Sequence, residues 1–451
     1  MTAQASIPQN NKQQCLWHEA LSLHFSTLAN VDEDLIYWGD ITNKEYLRNK
    51  LNLSQSAGTA MILAAAYQQW QSACVEHILG DISFVIYHDT DATLLVFRGR
   101  QSSYPIYLTK KNQQLHLSDH IATLSASQAA SVDPEALFEM TTWGAITGGK
   151  TLFKGIEQLN IGDAQTFKLS NSLASDYKES LSVIPSHSWL EQLDENLETG
   201  DLETLKADRF DHQRLFNLLP EMSTKMAMPV FDVEQVMAYS AAIEENVDVV
   251  SNLGCQSWLN TRVNGGMEFC YDKVSSMLLR HFKKRVQADT YLSKKREELL
   301  ELYRKEESPI RFDQWFSLKF RVPEYQANLR AALASSGRDI EFAANSVSWQ
   351  LKALSDDKPS LPEIFRWRLD DAPMQNIYEA MQRLFWHASK PGLSSFIHLA
   401  PPMASKVVRG VDESHVFVDR FCLTMLTLDC LFRFNQWSID EVVTKEEISN
   451  V

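Results

Sequence analysis

From Asp34 to about Leu169 the apolar residues fall in short runs between turn signals, as in LIYWGD, DISFVIYHD, ATLLVFRGR, YPIYLTKK and QQLHLSDH. Short apolar runs bounded by Gly, Asp and Asn predict β-strands. Between them MILAAAYQQW and DPEALFEMTTW carry helical spacing, the second opened by Asp133 as N-cap with Pro134 at the first helical position. From residue 171 to 210 the composition shifts to Ser, Asp and Glu without a sustained apolar pattern, which predicts a linker between a domain over 1–170 and another over 211–451. Beyond it SMLLRHFKKRVQADTYLSKKREELLELYRKEE has a long amphipathic repeat, and the segments around Trp315, Ile377 and Phe421 are also helical in pattern. Only DVVSNLG predicts a buried strand there, and no solenoid-type repeat is visible.

A chain of 451 residues exceeds one ordinary core and agrees with two domains. Its net charge is −15, with acids spread throughout and no sustained basic stripe, so nucleic acid is not an expected partner. The densest basic cluster, Arg280 to Arg285 followed by Lys294, Lys295 and Arg296, alternates with Glu297, Glu298 and Glu301 and reads as a solvated helix face. The cysteines at 15, 74, 255, 270, 422 and 430 have neither zinc-site spacing nor the density of a disulfide scaffold. With a polar N-terminus and no apolar run of membrane length, a soluble cytoplasmic protein without membrane contact is expected.

The motif order from AAAYQQW, through LGDISFVIYHDTDATLLVFRGRQSSYPIYLTKKNQQLHLSDHIATL, to ALFEMTTWGAITGGKTLFKGIEQLNIGDAQTF resembles the glutaminase-type domain of glutamine-hydrolysing asparagine synthetases. The likeness rests on a helix ending in Tyr67 and Trp70, the Gly80-Asp81 strand start, the Arg98-Gly99-Arg100 turn, and Lys154-Gly155-Ile156 closing toward Gly162. A long, ordered, mixed set of this kind is more specific than any one short motif. Lys110-Lys111-Asn112 and Ser118-Asp119 look like the lasso-peptide cyclase and β-lactam synthetase-like branch. Further on, LFNLLPEMSTKMAMPVFDVEQVMAYSAAIEENVDVVSNLGCQSWL and SLKFRVPEYQANLRAALASSGRDIEF resemble parts of the family's second domain. The resemblance implies an α+β glutaminase-like sandwich of the Ntn-hydrolase type, followed by a truncated α/β adenylating-type, mostly helical C-terminal domain.

It also implies where the chemistry should lie, and there the chain departs from the pattern. The family's glutaminase uses an N-terminal cysteine whose own amine serves as base, and Thr2 stands at that place. Cys15 would replace it only after loss of a propeptide, and reads more simply as a small packed hydrophobe. The family's oxyanion-stabilising Asn-Gly is matched by Trp38-Gly39, followed by Asp40, and the acid that holds the substrate amine by Gly58. The Ser-Gly-Gly-x-Asp-Ser loop that would cradle pyrophosphate is missing between Phe167 and Pro220. The magnesium-binding motif corresponds to Ser251-Asn252-Leu253-Gly254-Cys255-Gln256-Ser257-Trp258, which has no acid. Leu329-Arg330-Ala331-Ala332 replaces a Lys-x-Asp-Arg, whereas Lys390-Pro391-Gly392-Leu393 keeps the form of a Lys-x-Gly-Phe turn whose lysine stabilises charge during amide formation.

Three readings follow. The first is a non-catalytic scaffold or substrate-binding subunit for a peptide or small-molecule natural-product assembly, needing no cofactor, with the remnants Trp38, Gly39, Asp40 and Gly58 in one cleft and Ser251, Asn252, Gly254, Gln256 and Ser257 in the other. The second is an ATP- and Mg²⁺-dependent amide ligase or macrocyclase acting through Lys390 at an atypical nucleotide site. The third places new chemistry in the inherited cleft, for which Cys74-Val75-Glu76-His77 is a weak candidate because such residues at a helix end more often pack and cap. A truncated second domain leaves apolar positions to be covered, so a homo- or hetero-oligomer is expected.

Overall fold

The computed structural model describes residues 18, 20–26, 28–128, 131–169 and 174–181 in the first half. In the second half it describes chiefly 233–244, 249–250, 280–307, 311–334 and 336–342, with single residues and pairs at 218–229 and 424–431.

Two sheets face each other. A six-stranded antiparallel sheet contains β2 (Asn30–Asp32), β3 (Leu35–Gly39), β4 (Ile82–His88), β5 (Thr93–Arg98), β9 (Asp163–Lys168) and β10 (Ala174–Ser180), in the order β10-β9-β5-β4-β3-β2. A four-stranded sheet, β1-β7-β6-β8, joins β1 (Leu21–His24), parallel to β7 (Gln114–Ser118), with antiparallel β6 (Tyr107–Lys111) and β8 (Glu157–Gln158). Leu21, Leu23, Trp38, Val85, Val96, Leu115, Leu117 and Phe167 fill the space between the sheets. On the outer face of the larger sheet, Leu35, Phe84, Ile86, Leu95 and Phe97 pack with Leu47 of α1 (Lys44–Lys50) and Ile62, Leu63 and Ala66 of α2 (Thr59–Trp70). Because β4 and β5 are covered on both faces, Phe84–Tyr87 and Leu94–Phe97 form unbroken runs of apolar and aromatic residues. Helix α3 (Ile121–Gln128) lies against β6 and β7, completing a helix–sheet–sheet–helix order.

Helix α4 (Pro134–Trp143) starts as its sequence predicts: the Asp133 carboxylate accepts the Glu135 N–H at 2.8 Å and the Ala136 N–H at 3.4 Å, and Gly144 ends it in the left-handed region. One boundary differs from the expectation. The sheet continues through Ser180, inside the expected 171–210 linker, because Ala174–Ser180 pairs along β9 as an edge strand, where polar residues are ordinary.

The described part of the second half is mainly helical: α5 (Val233–Glu244), α6 (Arg280–Arg285), α7 (Ala288–Lys305), α8 (Phe312–Phe316), a π-helical turn (Ser317–Arg321) and α9 (Val322–Ala334). The long amphipathic repeat is divided at Gln287, whose φ of +50° breaks the helix between α6 and α7. Strand β11 (Val249–Val250), within the expected DVVSNLG strand, pairs in parallel with β12 (Glu341–Phe342). The Lys319 ammonium, 1% exposed, bonds the Glu306 carboxylate, 4% exposed, at 2.6 Å, and the Trp315 indole N–H donates to the same carboxylate at 2.9 Å.

These helices rest on the first domain. Arg321 Nε donates to the Trp143 carbonyl at 2.9 Å, and the Tyr291 hydroxyl donates to the buried Glu139 carboxylate. Thr147 supplies that carboxylate with its N–H at 2.6 Å and its hydroxyl at 2.8 Å. No described helix is long and apolar enough to cross a membrane.

Candidate functional site

Strand β3 carries Trp38 and Gly39 at its end, and the alternation of the strand sends the Trp38 side chain between the two sheets. There Trp38 is fully buried, with the Phe25 ring edge-on at 4.7 Å. Its indole N–H donates to Asp119 Oδ2 at 3.1 Å. The same carboxylate accepts the Ser26 hydroxyl at 2.5 Å and the Ser26 N–H at 3.0 Å. Burial raises the Asp119 carboxyl above its ordinary range despite the Ser26 hydrogen bonds, and lowers the neighbouring His120 imidazole despite the nearby carboxylate.

Gly39 has φ of +79°, and a Cβ on it would stand 1.8 Å from the Asp81 carbonyl oxygen and 2.6 Å from Cε2 of Tyr104. Only glycine fits between those two walls. The next residue, Asp40, donates its N–H to the Asp81 carbonyl at 3.0 Å and points its carboxylate outward to Thr59 Oγ1 and Lys44 Nζ, each at 2.5 Å. Gly58, the N-cap of α2, has extended backbone and nothing within 4 Å of where its Cβ would be. The absence of a side chain there follows from no steric demand.

Trp38, Gly39, Asp40 and Gly58 therefore share one end of the larger sheet, linked through the Asp40–Thr59 hydrogen bond. The groups turned toward that end are the Asp40 carboxylate and the open N-terminus of α2; the Trp38 N–H is already used. Thr2 and Cys15 lie outside the described residues, as do Ser251, Asn252, Gly254, Gln256, Ser257 and Lys390. Cys74 and Val75 are buried in a 3₁₀ turn (Gln71–His77), the Cys74 thiol is pushed up to about 12 by burial, and the His77 ring lies 4.2 Å from Trp70. Among the described residues no group of three or more His, Cys, Asp or Glu side chains is arranged to hold a metal ion.

Arg98, at the end of β5, is buried beside the junction with α9. It donates to the Leu159 carbonyl at 3.0 Å, to the Ser102 carbonyl at 3.4 Å and to the Pro323 carbonyl at 3.5 Å. Burial lowers this guanidinium to about 10 and raises the adjacent Glu324 carboxyl to about 8. Glu324 Oε2 accepts the Ile146 N–H at 3.3 Å. Neither Glu324 nor the Glu139–Tyr291 contact is foreshadowed in the sequence, because the partners lie 178 and 152 positions apart.

With this geometry in place, comparison with known proteins gives a class. Residues 26–178 match the family model of the glutamine amidotransferase domain, a range that includes most of β10. Over 140 residues the chain is also 29% identical to the asparagine synthetase [glutamine-hydrolyzing] 3 of Bacillus subtilis (strain 168). That similarity covers 30% of this chain and 23% of the relative, so it spans less than a quarter of the relative's length. Both findings support the asparagine synthetase and glutamine amidotransferase family for the first domain.

Proposed function

We propose that this protein is a catalytically silent relative of the glutamine-hydrolysing asparagine synthetases, retained as a scaffold or substrate-binding subunit in an assembly that modifies a peptide or builds a small-molecule natural product. The observation that carries this reading is the state of Trp38. At the position where the family likeness calls for an oxyanion donor stands a fully buried indole whose single N–H is committed to Asp119. Such a donor has to face the developing charge from about 2.7–3.1 Å. Gly58 supports the reading as well, since an acid able to hold a substrate ammonium is replaced where a side chain has room. The sequence adds that Leu253, Gln256 and Ser257 give no carboxylate to a magnesium ion.

The test uses the full chain in two assays: ammonia release from glutamine, and ATP–pyrophosphate exchange with candidate carboxylate substrates. Neither is expected to rise above the protein-free rate. Sustained glutamine hydrolysis, or robust exchange that Lys390→Ala abolishes, would defeat the proposal.

A further inference from the structure

Behind Gly39 the two halves of the chain meet in a cluster that the proposed function does not use. Asp81, immediately before β4, accepts the Ser103 N–H at 2.8 Å on Oδ1 and the Ser103 hydroxyl at 2.7 Å on Oδ2. From α9, Arg330 reaches into this pair, with Nε donating to Ser103 Oγ at 2.6 Å and one terminal nitrogen to Asp81 Oδ2 at 3.2 Å. Its other terminal nitrogen bonds Asp339 Oδ1. Asp339 also accepts the Tyr104 hydroxyl at 3.1 Å on Oδ2. The guanidinium lies 3.8 Å above the Tyr104 ring and 5.1 Å from that of Phe342 in β12. Arg330 is 4% exposed and Ser103 is fully buried, so water competes little for these bonds.

One end of the cluster is tied to the candidate cleft and the other to the β11–β12 pair. On one side, Asp81 supplies the carbonyl that holds the Asp40 N–H, and Tyr104 is the wall against which Gly39 packs. On the other, Asp339 leads into β12, which pairs in parallel with β11. A planar fork bonded on both sides and stacked on aromatic rings has one favourable placement, which a lysine could not reproduce.

We infer that Arg330 is a positioning residue that clasps the cleft end of β3 to the β11–β12 pair, so that loosening either side raises the mobility of the other. This coupling is reciprocal by thermodynamic necessity and does not depend on whether the cleft turns anything over.

Native-state hydrogen exchange on the full chain tests it through three amides bonded within the cluster: Asp40 N–H to the Asp81 carbonyl, Ser103 N–H to Asp81 Oδ1, and Ile340 N–H to Asp339 Oδ1 at 2.9 Å. Asp339→Ala removes an acceptor of Arg330 and of the Tyr104 hydroxyl, and is expected to speed exchange at Asp40 and Ser103 by at least about fivefold, with Tyr104→Phe, which removes only the Tyr104 hydroxyl bond, giving a smaller change. Ser103→Ala alters only the first half, and should speed exchange at Ile340 by a similar factor. Arg330→Lys should raise all three without restoring either. Val85 and Val96, at the centre of the larger sheet, should keep their wild-type rates. Effects confined to the mutated side would overturn the inference, and so would equal acceleration at Val85 and Val96, which signals general loss of stability.

Discussion

Glu324 is where a single side chain most clearly sets a solution property. Its carboxyl, pushed up to about 8 by burial while the Ile146 N–H and Arg98 pull it down, is neutral over much of the physiological range, with Glu139 as a further acidic neighbour. Because the folded value lies above the ordinary glutamate value of 4.5, its contribution to stability is complete below that value and is lost as pH rises through 8. Glu324→Gln keeps an acceptor for Ile146 and removes the proton. The variant should lose less stability than the wild type between pH 5 and 9, by roughly 1–3 kcal/mol in urea midpoints converted to free energy. Identical pH profiles would show that the group ionises without cost. Sequence reading singles out Trp38-Gly39 and the Arg98 turn, because local motifs carry them. The partners that give them meaning, Asp119 for Trp38 and Pro323 for Arg98, are 81 and 225 positions away and leave no mark in local pattern.

At the scale of elements, patterning worked where one physical cause dominates. Helix α4 was legible to its cap because Asp133 and Pro134 act locally. The central strands were legible because burial on both faces makes them apolar. Strand β10 was not, since ASDYKES on a sheet edge has the composition of a linker, and β12 was too short to produce a pattern. Helix α2 offers a test of this local logic. Its N-cap Gly58 has backbone that suits any residue, and Thr59 supplies no side-chain cap. Gly58→Asp should cap the helix and raise stability by a few tenths of a kcal/mol, read as a small upward shift in the thermal midpoint. A fall in the midpoint would mean that Asp40, close by through Thr59, repels the new charge more than the helix end attracts it.

For the whole molecule, the first domain's class could be read from the order of its motifs, whereas its seating against α7 and α9 could not. That seating depends on Tyr291, Arg321 and Arg330 meeting residues of the first domain. If the second domain is truncated, as the family likeness implies, its apolar positions need a cover, and we propose association with a second copy or with a neighbouring subunit. Light scattering across a concentration series should therefore give a mass above 51.5 kDa at high concentration, and a constant monomer mass would count against it.

The Lys319–Glu306 pair constrains how this chain can change over time. Lys319→Met alone would strand the Glu306 charge in a dry interior and cost about 3–5 kcal/mol, whereas adding Glu306→Gln, which still accepts the Trp315 N–H, should recover most of it in chemical denaturation. Two positions separated by 13 residues thus have no tolerable intermediate between ionic and neutral states. Substitution at either position alone meets that cost, so the π-helical turn that carries Lys319 is expected to keep its pair while exposed polar positions change freely.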